Sequence, residues 1–286
     1  MREGDGPGVC RRSRRELDQS KGGGPDLGLE LAGVGAEVFR RHAPERRAGP
    51  LDRLAEERAR RGLVLALTIG MVLITVAADA FVDLASALAD RDAGVQRIDA
   101  AVYDWFRLHR TPFLNALFIG ITTGGGPVGM AAIVVVAAAA LTARQRFRWA
   151  AYLAITATGG ALLSELLKVH FTRPRPDLKA AILGAHGYSF PSGHAMGGTF
   201  VFCAIGYLAA RAMPTWKRKS AVFAALVTLG LAIAVSRLYL GVHWTSDVVA
   251  GLAAGLLWVT ATTSGYELFR QYHLREVREQ TAAATG

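Results

Sequence analysis

Cysteine is scarce in this 286-residue chain: Cys10 lies in a polar N-terminal stretch and Cys203 inside an apolar run. Two cysteines so placed exclude a disulfide framework as a source of stability. No continuous apolar stretch occurs before residue 62, so no cleaved signal peptide is expected, and the first membrane helix would serve as the insertion signal. The run Gly124-Gly125-Gly126-Pro127 is not followed by Lys-Ser or Lys-Thr, which removes a nucleotide phosphate loop and leaves a turn. Nothing resembles a groove-reading module, and no aromatics interleave with the basic residues, so nucleic acid is not an expected partner. An internal repeat is also missing.

Apolar residues, by contrast, are abundant: 51% of the chain is hydrophobic and 20% charged, with a net charge of +10. Such long Ala/Val/Leu runs exceed what a soluble core needs and indicate a polytopic membrane protein. A hydrocarbon layer of ~30 Å takes ~20 apolar residues per helix. Six spans fit, at about 62–81, 126–143, 148–168, 194–212, 220–238 and 244–264. The predicted fold is an all-α polytopic membrane six-helix bundle with an extracytoplasmic interfacial helical segment. Three parts follow: a basic, largely disordered tail over 1–61, a six-span membrane domain over 62–265, and a C-terminal tail over 266–286. The basic tail suits anionic lipid heads.

Basic joints fix the expected orientation. Arg144, Arg146 and Arg148 lie between spans two and three, and Arg211, Lys217, Arg218 and Lys219 between spans four and five. The positive-inside rule places both short joints, and with them both tails, in the cytoplasm. In the segment before span two, Val95, Ile98, Val102 and Trp105 recur at helical spacing, with Arg97, Asp99 and Asp104 elsewhere around the wheel. This predicts an amphipathic helix lying on the membrane or capping the bundle. Residues 113–121 are too short to span and read as an interfacial or re-entrant piece. Tyr188, Tyr239 and Trp244 fit an outer aromatic belt, and Trp149 and Trp216 an inner one.

Three motifs stand out from this apolar background: K-x6-R-P from Lys168 to Pro176, P-S-G-H at 191–194, and S-R-x5-H-x3-D from Ser236 to Asp247. They supply three permanent cations, two histidines and a carboxylate. Phosphoryl transfer spreads charge over the non-bridging oxygens, so catalysis is mostly positioning and electrostatics. Arginine offers a planar fork to phosphate, lysine a point charge, and histidine a nucleophile near neutral pH. His243 and Asp247 are four apart and would share a helical face, the carboxylate orienting the ring. Pro191 and Gly193 suit a turn entering a helix whose free N–H groups attract an anion. The first two motifs bracket the joint between spans three and four, and the third the turn between spans five and six. By the topology above, both emerge outside.

These motifs resemble the signature of the type 2 phosphatidic acid phosphatase superfamily, which also includes bacterial acid phosphatases and vanadium haloperoxidases. The resemblance implies that His243 attacks phosphorus and forms a phosphohistidine, with Asp247 orienting it. His194 would protonate the leaving oxygen and help activate water. Lys168, Arg175, Ser192, Gly193 and Arg237 would hold the phosphoryl oxygens, and the implied mechanism uses no metal and no cofactor. Arg173 offers a second Arg-Pro pair; spacing from Lys168 selects Arg175, leaving Arg173 as a supporting or headgroup contact. Glu165 would neutralise Lys168 or set substrate access, while His170 and His186 are expected to be exposed.

The implied function is hydrolysis of a lipid phosphomonoester or diphosphate at the outer membrane surface. Phosphatidic acid, phosphatidylglycerophosphate and a polyprenyl phosphate or diphosphate stay open. So do a phosphotransferase passing the group to an alcohol or sugar, and a non-catalytic transporter or scaffold. Six apolar spans argue against a haloperoxidase, since those enzymes are soluble.

Overall fold

Strong helix formers and proline-initiated turns build most of this molecule. The computed structural model describes residues 50–177 and 179–285, so the stretch expected to be disordered up to residue 49, with Cys10, lies outside the described residues. Among the described residues there are eight helices and no strand: α1 (Pro50–Ala89), α2 (Ala93–Leu108), α3 (Pro112–Gly124), α4 (Pro127–Ala143), α5 (Phe147–Phe171), α6 (Gly193–Ala212), α7 (Trp216–Tyr239) and α8 (Thr245–Thr285). Proline opens α1, α3 and α4, where its missing N–H costs nothing and its fixed φ already suits a helix. Side chains of Asp92 and Thr111 cap α2 and α3 by accepting from the N–H groups of Val95 and Leu114. Helix α1 starts well upstream of the apolar stretch, and α8 continues far beyond the last one. Hydropathy marks where a helix enters hydrocarbon, not where it ends.

Five helices contain stretches long and apolar enough to cross a membrane: Leu67–Ala89, Phe147–Phe171, Gly193–Ala212, Trp216–Tyr239 and Thr245–Thr281. A sixth forms only if α3 and α4 are taken together, as a broken span bent by 51°. The predicted span at 126–143 therefore does not qualify by itself, and with the short piece at 113–121 it forms either a broken span or a re-entrant loop, bent at the glycine run. Large apolar side chains such as Val72, Val135, Ile155 and Leu162 face outward, as a hydrocarbon solvent permits. The protein is a multi-pass, all-helical membrane protein.

Helix α6 lies at the centre, packed by α5, α7 and α8. Its buried Met196, Phe200, Val201 and Phe202 meet Leu153 of α5 and Ile233 of α7 in the main core. Close approach of α8 depends on Gly251 and Gly255, a small-xxx-small pair. A β-carbon at Gly251 would stand 2.6 Å from the Ser192 carbonyl oxygen, and one at Gly255 2.7 Å from that of Met196. Away from the motifs, Glu267 of α8 accepts from Arg211 (2.6 Å) and Tyr207 of α6, locking the same two helices.

One expectation is corrected here. Tyr239 belongs to no aromatic belt: it is buried beneath Phe106 and Phe118, and its hydroxyl donates to Asn115 Oδ1 at 2.8 Å. The amphipathic helix α2 turns one of its two acidic residues inward: Asp99 is only 2% exposed, while Ile98 and Trp105 are 59% and 54% exposed. Beside a bilayer the apolar stripe of a helix need not face protein. A buried cation and a free helix N–H draw Asp99 in instead.

Candidate active site

Lys168 projects from the last turn of α5, which ends at Phe171 with Thr172 in the left-handed region. The following loop returns to the bundle at Gly193, the first residue of α6. There the free N–H groups of a helix start meet the lysine. A β-carbon at Gly193 would lie 3.0 Å from Lys168 Nζ and 3.2 Å from Ser164 Oγ, so glycine lets these groups close on one spot without displacing either. Lys168 also pairs with Glu165 at 2.6 Å, the neutralising contact anticipated from spacing.

The third motif arrives from the other side. Arg237 lies near the end of α7, almost fully buried, and donates to Thr122 Oγ1 of α3 while its Nε has no protein partner. His243 lies in the turn between α7 and α8, not on a helix, because α8 begins only at Thr245. The i, i+4 spacing nevertheless brings His243 Nδ1 to 3.4 Å from Asp247 Oδ2. Asp247, fully buried, also accepts from Arg173 Nη1 (2.6 Å), the Trp244 backbone N–H (2.8 Å) and Ser189 Oγ.

The two arginines of the first motif part company. Arg175 Nη1 lies 3.0 Å from His243 Nε2, and the rest of its fork donates to the carbonyls of His186, Gly187, Tyr188 and Val242. A guanidinium can only donate, so this contact requires a lone pair on Nε2 and puts the ring proton on Nδ1, toward Asp247. Burial pushes the His243 imidazole down to about 4, although Asp247 pulls the other way. It likewise lowers Arg175, with Asp247 opposing. Arg173 turns away, bridging Asp99 (2.8 Å) and Asp247 (2.6 Å).

One cavity of about 820 Å³ gathers these groups. Its polar end is lined by Lys168, Arg175, Gly193, His194, Arg237 and His243, with Ser164 and Glu165. The remainder is apolar, running between α4, α5 and α6 past Met130, Val134, Ala161 and Phe200. Asp247 and Ser192 are not in its wall: Asp247 stands behind His243, and the Ser192 N–H donates to the Asp247 carbonyl at 2.9 Å. The side chains of Ser164, Ser192 and Arg237 each hold a buried polar atom without a partner among the described residues. Buried polar atoms are rarely left so, and beside three cations they suit a polyoxygen anion. His170 is exposed as expected; exposed His186 also borders the cavity. Sequence reasoning missed Ser164, Ser189, Thr122 and the role of Asp99. Hydroxyls in apolar helices leave no trace in hydropathy, and only Ser189, two residues before Pro191, had a position that could have drawn notice.

Fold and site together define a multi-pass membrane protein with a cationic, histidine-bearing pocket at one end of its bundle. Residues 148–270 match the PAP2 superfamily. Phosphatidylglycerophosphatase B of Bacillus subtilis is 33% identical over 165 residues, which cover 57% of this chain and 80% of that protein. A crystal structure of a transmembrane PAP2-type phosphatidylglycerolphosphate phosphatase, also from Bacillus subtilis, superposes with a TM-score of 0.64 at 29% identity. The match covers 68% of this chain and 96% of that one. The chain belongs to the PAP2 superfamily.

Proposed function

We propose that this protein is a membrane phosphatase that removes phosphate from a lipid phosphomonoester or diphosphate through a phosphohistidine. The single observation that carries the proposal is the two-natured cavity: cations and histidines at one end, an apolar channel between helices at the other. A lipid phosphate has the same division. Its headgroup fits the polar end while its chain lies along Met130, Val134 and Ala161, close to bilayer hydrocarbon.

In this mechanism Lys168, Arg237 and the Gly193 N–H hold the phosphoryl oxygens, with the Ser192 hydroxyl turning in to join them, and Arg175 Nη1 shifts from His243 Nε2 to a phosphoryl oxygen, which frees that lone pair. The lone pair on His243 Nε2 attacks phosphorus as the P–O bond to the lipid breaks. His194 gives its proton to the leaving oxygen. It then takes a proton from water, which attacks phosphorus and breaks the N–P bond to free inorganic phosphate. Asp247 holds the Nδ1 proton and stabilises the ring as it becomes positive. None of these steps calls on a metal.

Purified enzyme in detergent with EDTA should release phosphate from at least one of phosphatidic acid, phosphatidylglycerophosphate and a polyprenyl diphosphate. Because burial holds the folded His243 pKa low, its lone pair should survive as pH falls through the ordinary value of about 6.5. The acid limb of kcat/KM should then sit near pH 4. Loss of activity on chelation would overturn the metal-free step, and phosphate appearing on an added alcohol would make the protein a transferase.

The basic joints support a pocket outside the cytoplasm, with both tails inside. A cysteine replacing exposed Gly184, in a Cys10→Ser/Cys203→Ala background, should react with an impermeant thiol reagent in intact cells. One replacing exposed Thr215 should react only after lysis. The reverse pattern would invert the topology.

A further inference from the structure

Asp99 lies in α2, far from every motif in sequence, yet it is buried at the start of α8. Its Oδ1 accepts from the Ser246 backbone N–H at 2.8 Å, and its Oδ2 from Ser246 Oγ at 2.6 Å and Arg173 Nη2 at 2.8 Å. The other arm of Arg173 donates to Asp247 Oδ1 at 2.6 Å and to Ser246 Oγ at 2.7 Å. A continuous chain of charge-assisted bonds thus runs from α2 through Arg173 to the carboxylate behind His243.

Two physical consequences follow. The first is that Asp99 caps α8 from outside. The opening turn of any helix has N–H groups without intrahelical partners. Here the one on Ser246 is taken by a carboxylate from a different helix, while Asp247 reaches back to the N–H of Trp244 in the manner of a capping box. The turn carrying His243 is therefore fixed at its junction with α8. The second is that Asp99 holds Arg173 in check. A guanidinium beside Asp247 with no other partner would rotate to offer that carboxylate both arms. Asp247 would then turn from the imidazole and give up the orientation its Oδ2 keeps toward His243 Nδ1.

We infer that Asp99 is a positioning residue for the reaction: with Arg173 it sets the carboxylate that orients the nucleophile, tying the site to the amphipathic helix α2. It touches neither the substrate nor the reacting atoms, and the inference rests on the reading of His243 as nucleophile. Because α2 exposes its apolar Ile98 and Trp105, that surface is connected to the nucleophile through a buried side chain.

The test measures kcat and KM for a soluble-chain phosphatidic acid in detergent with Asp99→Asn, Asp247→Asn, the double variant and His243→Ala. Each protein's thermal midpoint is recorded alongside. Asn keeps the shape of Asp99 and removes its charge. Asp99→Asn should lower kcat about tenfold to a hundredfold with KM unchanged, as loss of an outer partner of a functional group does. In the Asp247→Asn background the same change should cost almost nothing more, because the chain is already cut. A variant that does not yield folded protein is replaced by Arg173→Lys, which keeps the charge but loses the planar fork whose two arms span Asp99 and Asp247, with the same expected outcome. Near-wild-type kcat in Asp99→Asn, or losses that multiply in the double variant, would overturn the inference. Turnover by His243→Ala would instead fault the nucleophile assignment, whereas an inactive His243→Ala beside an unimpaired Asp99→Asn would sink the positioning role alone.

Discussion

His243→Ala is expected to lower turnover by roughly five orders of magnitude while leaving KM and the amount of folded protein nearly unchanged. The size of the effect follows from the role. Removing a nucleophile leaves only the charge stabilisation supplied by Lys168, Arg175 and Arg237, and water cannot reproduce a ring nitrogen already aimed by its neighbours. The small effect on folding follows from the contacts. His243 lies in a turn and its Nδ1 approaches Asp247 only at 3.4 Å, whereas that turn is held by the bond between Arg175 and the Val242 carbonyl and by the partners of Asp247. Substrate should still bind, since the cations remain. The assay is phosphate release under single- and multiple-turnover conditions. Turnover near that of the wild type would refute the assignment.

Gly251→Val should be strongly damaging although it lies outside the catalytic groups. The added β-carbon would stand 2.6 Å from the Ser192 carbonyl oxygen, 3.1 Å from the Ala195 β-carbon and 3.3 Å from the Met196 nitrogen. These are mostly backbone atoms at the start of α6 and cannot swing aside, so α6 and α8 must part. Separation strains the bond from the Ser192 N–H to the Asp247 carbonyl and pulls Gly193 and His194 away from His243. Overpacking of this kind costs about 1–3 kcal/mol in stability. Misplacement by about 1 Å costs about a hundredfold in rate. Gly265→Val is the control on the same helix, because a β-carbon there meets nothing within 4 Å. Equal losses in the two variants would show that the glycine seam does not hold the site together.

The part of this pocket legible in the sequence is the part that broke the hydropathy pattern. Lys168, His194, Arg237 and His243 are polar groups at the ends of apolar runs, and their spacing was enough to group them. The choice between Arg173 and Arg175 rested on one count of residues; the structure puts Arg175 in the cavity wall and Arg173 behind it. What stayed hidden needed tertiary information. Ser164 and Thr122 are hydroxyls inside helices, where such residues commonly satisfy their own backbone and attract no notice. Asp99 was obscured by the apolar stripe of its own helix, which faces away from the protein here. The glycine run between α3 and α4 reads as a turn in the sequence, but the 51° bend and the packing of its flanks against α7 and α5 are tertiary.

The proposed reaction turns on a covalent bond between phosphorus and His243. Rapid quenching in base of enzyme mixed with a ³²P-labelled lipid phosphate, followed by peptide mapping, tests it most directly. The expected result is an acid-labile, base-stable label on the peptide containing His243, present in the first turnover and absent from His243→Ala. A label on another residue, or a full first turnover by protein that never carries label, would contradict it.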